Sequence, residues 1–270
     1  MHVFLSPHLD DAALSCGGII GQLVARGEAV HVITIMAGFP PQPLPRTPLI
    51  EDLHDRWALG ADAVTQRRAE DQAALGLLGA TVEHHDVPDC PYRMDKNGQA
   101  LYTTNVMLFG AIHPDDPARE IALALPAQAT HIYAPLGAGG HVDHRIVSEL
   151  GQNLMQKMAV FFYEEYPYSA SSGEGARITY GSKVQLVGSA AVEAARARFS
   201  QRLHATTISL SPTDLRRKID AIACYASQLS TFWHDHADMA ARVEQYAREV
   251  APDAPNGAER LWIWKEQPLS

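Results

Sequence analysis

The sequence predicts an α/β fold of the Rossmann-like type, with a mostly parallel sheet and helices on both of its faces. Short apolar runs rich in β-branched residues alternate with longer amphipathic stretches through the first two thirds of the chain. This alternation is typical of parallel strands joined by right-handed helical crossovers. With 270 residues, of which 46% are hydrophobic, the chain can bury a large core.

The predicted elements follow one another in a regular order from the N-terminus. We expect strands at residues 2–6, 30–37, 81–87, 131–136 and 159–166, and helices at 11–28, 64–79 and 142–158. Gly79 is expected to stop the second of these helices, because glycine is favoured just past a helix C-terminus. The segment "EIALALPA" (120–127) is expected to close a further helix before the fourth strand.

The C-terminal part continues with helices and ends in an alternating segment. Two helical stretches, 212–229 and 236–250, precede "RLWIWKE" (260–266), which is predicted to be an edge strand. Three irregular stretches, 38–63, 88–118 and 169–182, either wall a pocket or are surface excursions. We expect one domain over residues 1–270, with a core at 1–168 and a C-terminal part at 183–270 that completes the pocket.

Composition and charge argue against several classes of partner. The net charge is −9 with both signs mixed along the chain, and without a basic stripe a nucleic-acid partner is not expected. No apolar run reaches about 18 residues and the start lacks a signal-peptide pattern, so neither a membrane segment nor export is expected. Cys16, Cys90 and Cys224 are scattered, which favours a reducing cytoplasm over a disulfide framework. A homo-oligomer is compatible with the sequence, which does not determine oligomeric state.

Two clusters of histidine and aspartate follow the first and fourth predicted strands. They are His8, Asp10 and Asp11, and then His141, Asp143 and His144 within "GAGGHVDHR" (137–145). Ligands bind outside the carboxyl ends of parallel strands, so both clusters fall at the binding edge of the sheet. Taken singly, each aspartate could cap a helix and each histidine could be a hydrogen-bonded loop residue. Together the clusters supply a His/Asp/His set of the kind that holds a catalytic zinc ion.

A metal with three protein ligands would leave other side chains of the two clusters free for catalysis, among them a carboxylate and an imidazole. Zinc can polarise a carbonyl group and lower the pKa of a water molecule. Hydrolysis of an amide also needs a base for the attacking water and an acid for the departing amine. The combined clusters therefore predict a metal-assisted amide hydrolase, and His/Asp/His ligation would also accept Fe²⁺ or another divalent ion.

The segments "PHLDD" (7–11) and "HVDH" (141–144) resemble the paired signature of the LmbE / PIG-L family, the zinc-dependent N-acetylglucosaminyl deacetylases. In that family the first motif usually reads His-Pro-Asp-Asp-Glu and the second His-x-Asp-His. Three further segments are similar to the family pattern, namely "RRAEDQAALGLLGA" (67–80), "VPDCPY" (87–92) and "KIDAIACYASQL" (218–229). The resemblance covers the first 165 residues well and implies a Rossmann-like hydrolase with one catalytic zinc.

The resemblance also implies roles for individual residues at the metal. Zinc would be held by His8, Asp11 and His144, and Asp10 would act as general base for the attacking water. His141 would stabilise the tetrahedral intermediate and protonate the leaving amine. We expect Asp143 to hydrogen-bond the His141 ring, because a nearby carboxylate favours the charged form of an imidazole.

Two more residues match the sugar-binding positions of the family. Arg67 and Asp89 can each form several directed hydrogen bonds to hydroxyl groups. Arg67 could instead pair with Glu70 or Asp71 on a solvated helix face. The implied substrate is an N-acetyl or N-acyl amino sugar in a small molecule or conjugate. The alternatives are an amidase of the same fold that cleaves a larger amide such as a thiol conjugate, and a non-catalytic sugar-binding protein.

The sequence departs from the family pattern at three positions and carries several weaker candidates. Leu9, Ala12 and Gly139 stand where the family usually has Pro, Glu and, in some members, Tyr. Without that tyrosine, any help to the oxyanion must come from another side chain. Polar surface loops are expected at His84-His85 and "HDH" (234–236), since no third ligand lies at a suitable spacing. Trp57 and Tyr92 could line the pocket or pack the long loops, and "GG" (17–18) does not match a dinucleotide-binding pattern.

Overall fold

A computed structural model describes residues 1–57, 63–170, 179–180, 183–184, 187–200 and 202–264. Within them, seven strands form the main sheet and two short strands form a separate hairpin. In chain order the strands are β1 (His2–Ser6), β2 (Val30–Thr34), β3 (Thr81–His84), β4 (His131–Pro135), β5 (Ala159–Tyr163), the hairpin strands β6 (Thr179–Tyr180) and β7 (Lys183–Val184), β8 (Leu203–Ser209) and β9 (Ala258–Trp264).

The main sheet has the strand order β3-β2-β1-β4-β5-β9-β8. The first five of these strands run parallel, which confirms the predicted Rossmann-like sheet. The strand order reverses between β1 and β4, and this switch point is where open α/β sheets bind ligands. Strand β9 is antiparallel to both β5 and β8, so the prediction of an edge strand at 260–266 is wrong. The unpredicted strand β8 covers that edge.

Helices cover both faces of the sheet, as predicted. They are α1 (Asp11–Ala25), α2 (Pro48–Trp57), α3 (Ala63–Leu78), α4 (Asn105–Leu108), α5 (Val142–Leu154), α6 (Gly188–Arg196), α7 (Pro212–Ile222), α8 (Ala226–Phe232) and α9 (His236–Val250). Phe4 of β1 packs in the cluster of α1, α3 and α7, whereas Val3 and Leu5 pack in the cluster of α5 and α6. Burial on both faces explains why the strand reads as a continuous apolar run.

The predicted helix at 120–127 is wrong. The structure has a 3-10 turn at Pro117–Glu120, and the chain then continues without helix toward β4. Ile121, Leu123 and Leu125 pack against the core cluster of α5 and α6. Their spacing of two residues suits an extended chain rather than a helix, whose apolar positions recur every three or four residues.

The irregular stretches and the tail also differ from expectation in detail. Residues 38–63 contain α2, and residues 88–118 contain a 3-10 turn (Cys90–Tyr92) and α4. The stretch expected as one helix at 212–229 is two, α7 and α8, while α9 has the predicted bounds. Most of 169–182 lies outside the described residues. None of the described helices combines the length and the apolar character needed to cross a bilayer.

Candidate active site

The ends of β1 and β4 bring the two predicted clusters together. The His8 ring follows β1, and its centroid lies 5.0 Å from that of His141 and 5.2 Å from that of His144. A short turn after β4 makes this possible, because Gly137 and Gly139 adopt φ values of 86° and 76° that favour glycine. The two motifs, more than 130 residues apart in sequence, therefore form one site at the switch point.

A cavity of about 130 Å³ opens at this site. Six of the predicted residues line it, namely His8, Asp10, Asp11, Arg67, Asp89 and His141. The remaining lining comes from the segments after β3 and β5 and from helices α2, α4 and α8. Two of the irregular stretches, 38–63 and 88–118, therefore contribute pocket walls through Leu53 and Phe109.

The three expected metal ligands meet at a single carboxylate oxygen. Asp11 Oδ2 lies 3.2 Å from His8 Nδ1 and 3.3 Å from His144 Nε2. Ligand atoms on a tetrahedral zinc ion, each about 2.0–2.2 Å from the metal, lie about 3.3–3.6 Å from one another. Each histidine nitrogen therefore lies at about the distance from Asp11 Oδ2 that separates two ligands of one ion.

The second nitrogen of each histidine is held by a carboxylate. His8 Nε2 lies 3.0 Å from Asp143 Oδ2, and His144 Nδ1 lies 3.3 Å from Glu165 Oε1. His144 Nε2 is buried and has no hydrogen-bond partner among the described residues. A carboxylate behind a ligating imidazole fixes its ring and tautomer, so the donor set fits a zinc ion on this chain's own geometry.

Glu165 was not predicted from the sequence. Its carboxylate is fully buried and also accepts hydrogen bonds from the backbone N–H groups of Gly137 and Ala138, at 2.6 and 3.1 Å. It thereby fixes both the glycine turn and the His144 ring. The acidic pair in "FFYEEY" (161–166), at the carboxyl end of β5 beside β4, is the signal that could have identified it.

A second group of potential ligands lies beside the first. Ligand atoms of Cys90, His141 and Asp143 lie within 4.8 Å of one another. However, the Asp143 oxygens already accept hydrogen bonds from Arg93 Nη2, from His8 Nε2 and from the Cys90 backbone N–H. Asp143 is thus held by other partners. Ligand atoms of His8, His141 and His144 also lie within 4.8 Å of one another, and this group includes two of the three expected metal ligands.

Asp10 occupies the N-cap position of α1 but does not cap the helix. Its side chain makes no capping hydrogen bond and instead lines the pocket. Burial and the neighbouring Asp11 carboxylate together raise the pKa of Asp10 to about 7, against the lowering effects of Arg67 and His8. The cap alternative therefore fails for Asp10, whose carboxyl group can exchange a proton near neutral pH.

The Asp143 carboxylate does not contact the His141 ring as expected. His141 itself is the N-cap residue of α5, and its Nδ1 accepts a hydrogen bond from the Asp143 backbone N–H at 3.3 Å. The carboxylate turns instead to the buried Arg93 guanidinium, which holds the pKa of Asp143 well below its usual range despite burial. Burial lowers the pKa of His141, as does the neighbouring His8. With Nδ1 as an acceptor, the proton of a neutral His141 ring is assigned to Nε2, which lies 3.9 Å from Cys90 Sγ.

The two expected sugar-binding residues also face this pocket. Arg67 Nη2 lies 3.8 Å from Asp10 Oδ2, and Asp89 Oδ1 lies 3.6 Å from His8 Nε2. The solvated-face alternative for Arg67 does not apply, because Arg67, Glu70 and Asp71 are all buried.

Helix α3 docks onto the start of α8 through two acidic residues. The Glu70 carboxylate accepts hydrogen bonds from the Ser227 N–H and hydroxyl groups, and Asp71 Oδ1 accepts one from the Tyr225 hydroxyl at 2.8 Å. This contact brings Gln228, a residue that the sequence analysis missed, into the pocket lining.

The weaker candidates have structural roles or lie away from the pocket. His84 Nε2 bonds Asp71 Oδ2 at 2.8 Å, and His85 Nε2 bonds Glu83 at 3.0 Å. Tyr92 is buried, with its hydroxyl 2.7 Å from His54 Nε2, so it packs the loops. The residues of "HDH" (234–236) are exposed, and the Trp57 side chain lies outside the described residues.

Comparison with known proteins identifies close sequence relatives. The model of the PIG-L family, described as GlcNAc-PI de-N-acetylase, matches residues 3–155. A 2'-N-acetylparomamine deacetylase from Niallia circulans is 34% identical over 191 residues, covering 62% of this chain and 66% of that protein. The enzyme of the same name from Streptomyces fradiae is 28% identical over 181 residues, covering 62% and 57%. The matched region thus spans about two thirds or less of these relatives' length.

Solved structures match over nearly the whole chain. The zinc-inhibited form of a teicoplanin deacetylase superposes with a TM-score of 0.70 at 25% identity, covering 97% of this chain and 96% of that one. An A40926 pseudoaglycone deacetylase gives 0.68 at 28% identity, with the same coverage. The N,N'-diacetylchitobiose deacetylase from Pyrococcus horikoshii, at 14% identity, shares the fold with a TM-score of 0.53 over all of this chain and 87% of that one. Since the family model matches more than half of the sequence, the chain belongs to the PIG-L family, as its paired motifs indicated.

Proposed function

We propose that the protein is a metal-dependent N-deacetylase that removes the acetyl group from an amino sugar in a small molecule or conjugate. One observation carries the proposal: nitrogens of His8 and His144 converge on Asp11 Oδ2 beside a pocket that the adjacent Asp10 carboxylate lines without capping its helix. The relatives that share its sequence or fold at 25% identity or more are deacetylases of acetylparomamine, teicoplanin and the A40926 pseudoaglycone.

The metal would be held by His8, Asp11 and His144. Zinc, when bound there, supplies Lewis acidity toward the amide carbonyl and lowers the pKa of water. The donor set would also accept Fe²⁺. Asp143 and Glu165 hold the rings of the two histidines and keep their outer nitrogens protonated.

Asp10 would move the proton in the reaction. Its carboxylate takes a proton from the attacking water, and a pKa near 7 lets the same group return that proton to the departing amine. The Nε2–H of His141 would donate to the oxyanion, because Nδ1 already accepts from the backbone. The sequence led us to expect that His141 protonates the leaving amine. A protonated His141 ring would also carry a hydrogen on Nδ1, and that N–H would face the backbone N–H of Asp143.

The sugar would be bound on the side of the pocket that carries Arg67 and Asp89. Both are buried or half-buried polar groups that can bond several hydroxyl groups, and Gln228 lines the same pocket. The pairing of β9 with β5 and the position of α8 in the pocket wall support a single domain over 1–270, whose C-terminal part completes the site. The unpaired cysteines fit a cytoplasmic location.

The proposal is tested by assaying released acetate from N-acetylated amino sugars, including 2'-N-acetylparomamine, after loading with Zn²⁺ or Fe²⁺. Asp10→Asn should retain about one equivalent of metal and lose about 10²–10⁴-fold in kcat. Full activity in this variant would refute the base assignment. Wild-type protein that binds no divalent metal, or releases no acetate from any of these compounds, would favour the sugar-binding alternative. Faster cleavage of a bulky amide conjugate would favour the amidase.

A further inference from the structure

One side of the pocket is apolar and lies against the two histidines of the second motif. Phe109 and Tyr168 supply the rings of this side, and Leu108 and Pro167 adjoin them in the pocket lining. The Phe109 ring meets the His141 ring edge-on, with centroids 5.3 Å apart. The Tyr168 ring meets His144 in the same way at 5.3 Å. The centroids of the two aromatic rings are 6.3 Å apart, so they form one continuous surface.

Gly139 makes room for this surface. A Cβ atom at Gly139 would lie 2.6 Å from Tyr168 Cγ and 2.7 Å from its Cδ1, both closer than real Cβ contacts. The φ of 76° at Gly139 also disfavours any other residue. The glycine at this position, noted as a departure from the family pattern, therefore allows the Tyr168 ring to pack beside the metal ligands.

The polar groups of the pocket lie beside the first motif instead. Arg67 is close to Asp10, and Asp89 is close to His8. The amide that is cleaved joins a polar sugar, on its nitrogen, to an apolar alkyl group, on its carbonyl carbon. Matching polarity places the sugar beside Arg67 and Asp89 and the alkyl group beside the aromatic surface. The position of His141 agrees with this orientation, because the oxyanion that it would contact is on the carbonyl carbon.

We propose that Phe109 and Tyr168 form an acyl wall that restricts the reaction to acetyl-sized groups. This inference rests on the proposed function and decides between the acetyl and longer acyl groups that the sequence left open. The Phe109 ring packs on His141. In the orientation argued above, a chain growing from the carbonyl carbon would extend toward that ring. A chain of four more carbons would have to displace that ring or leave the pocket.

The wall is tested by binding of alkyl hydroxamic acids to the zinc-loaded protein, measured by calorimetry. These probes bind metal through the hydroxamate and carry the alkyl group without a sugar. Wild-type protein should bind acetohydroxamic acid, and hexanohydroxamic acid at least about tenfold more weakly. Phe109→Ala should bind the hexanoyl probe at least about tenfold more tightly than the wild type does, since the cavity would bury several methylene groups.

Matched variants keep the test decisive. Met107 is an exposed residue of α4, two positions before Phe109 in the sequence. The Met107→Ala variant should leave both affinities unchanged. Phe109→Leu retains an apolar side chain and should give an intermediate preference if the alanine variant does not fold. Equal binding of the two probes to the wild type would overturn the wall and leave the proposed function standing. Failure of both probes to bind would count against the metal site itself, and the wall would fall with it.

Discussion

Adjacent carboxylates with unlike partners include Asp10 and Asp11, at the pocket, and Glu164 and Glu165, which follow β5. Glu164 accepts hydrogen bonds from the Trp262 indole at 2.8 Å and from the Arg260 guanidinium at 3.1 Å, away from the pocket. Glu165 accepts from the glycine turn and contacts His144. The two side chains therefore diverge just past the end of β5, one toward residues of β9 and the other toward the glycine turn after β4.

Glu165→Gln should weaken metal binding by about 10–100-fold. Each carboxylate oxygen of Glu165 accepts a hydrogen bond from a backbone N–H, one from Gly137 and the other from Ala138. A glutamine side chain would place its NH₂ group against one of these N–H donors and lose that hydrogen bond. The affinity is measured by competition with a chromophoric zinc chelator. Glu164→Gln is the matched control, and we expect it to keep the wild-type affinity. Equal affinities for the two variants would contradict the role of Glu165.

Sequence patterns predicted which residues meet at the site but not how their side chains pair. The motif positions after β1 and β4 sufficed to place His8, Asp11 and His144 together. The partner of the Asp143 carboxylate depends on Arg93, a buried cation from a distant irregular segment, and no local pattern marks it. Likewise, Gln228 of α8 lines the pocket, and α8 is held there by a hydrogen bond from Ser227 to Glu70 of α3. No local sequence pattern reveals this contact.

At the scale of helices and strands, a glycine can allow a helix to approach the sheet more closely than any other residue would. A Cβ atom on Gly151 of α5 would lie 2.6 Å from the Ala134 Cβ of β4 and 3.0 Å from Phe162 Cε1 of β5. Gly76 of α3 is equally helical but exposed, with no atom within 4 Å of such a Cβ. The same residue type therefore has opposite energetic roles in the two helices.

Alanine substitutions at these two glycines should change stability in opposite directions. Gly151→Ala should lower the free energy of unfolding by about 1–3 kcal/mol, because helix α5 must move away from the sheet. Gly76→Ala should raise it by about 0.5–1 kcal/mol, because alanine loses less backbone entropy in a helix. Urea unfolding of both variants beside the wild type measures the two shifts. A stable Gly151→Ala variant would contradict the close approach of α5 to β4 and β5.

Helices with a strong local apolar period were predicted well, whether a glycine follows them, as in α3, or not, as in α9. Helix α3 ends at Gly79, whose φ is 84°, as its sequence indicated. Segment 120–127 was wrongly predicted to be helical. Ile121, Leu123 and Leu125 pack against the core as an extended chain, and a short apolar run does not distinguish a helix from an extended segment. The pairing of β9 with both β5 and β8 is a long-range contact, which the local alternation of "RLWIWKE" does not reveal.

At the scale of the whole molecule, a bound metal would join the ends of two strands and so stabilise the fold. His8 and Asp11 follow β1, and His144 follows β4. An ion that binds the folded chain alone stabilises it by about 3 kcal/mol at 100 times its dissociation constant. For a chain of this size, we expect zinc to raise the Tm by about 5–10 °C, and a chelator to reverse the rise.

Substitutions of Asp10 and Asp11 should have different effects on the zinc-dependent rise in Tm. Asp11→Asn replaces the carboxylate on which the two histidine nitrogens converge with a neutral amide, so zinc should no longer raise the Tm. Asp10→Asn should keep the rise while losing turnover, because that side chain is placed to move a proton and not to hold the ion. A full zinc-dependent rise in Asp11→Asn would show that the ion binds elsewhere, and the group of Cys90, His141 and Asp143 would then be the first place to look. Loss of the rise in both variants would instead make Asp10 a ligand, and the proton would need another carrier.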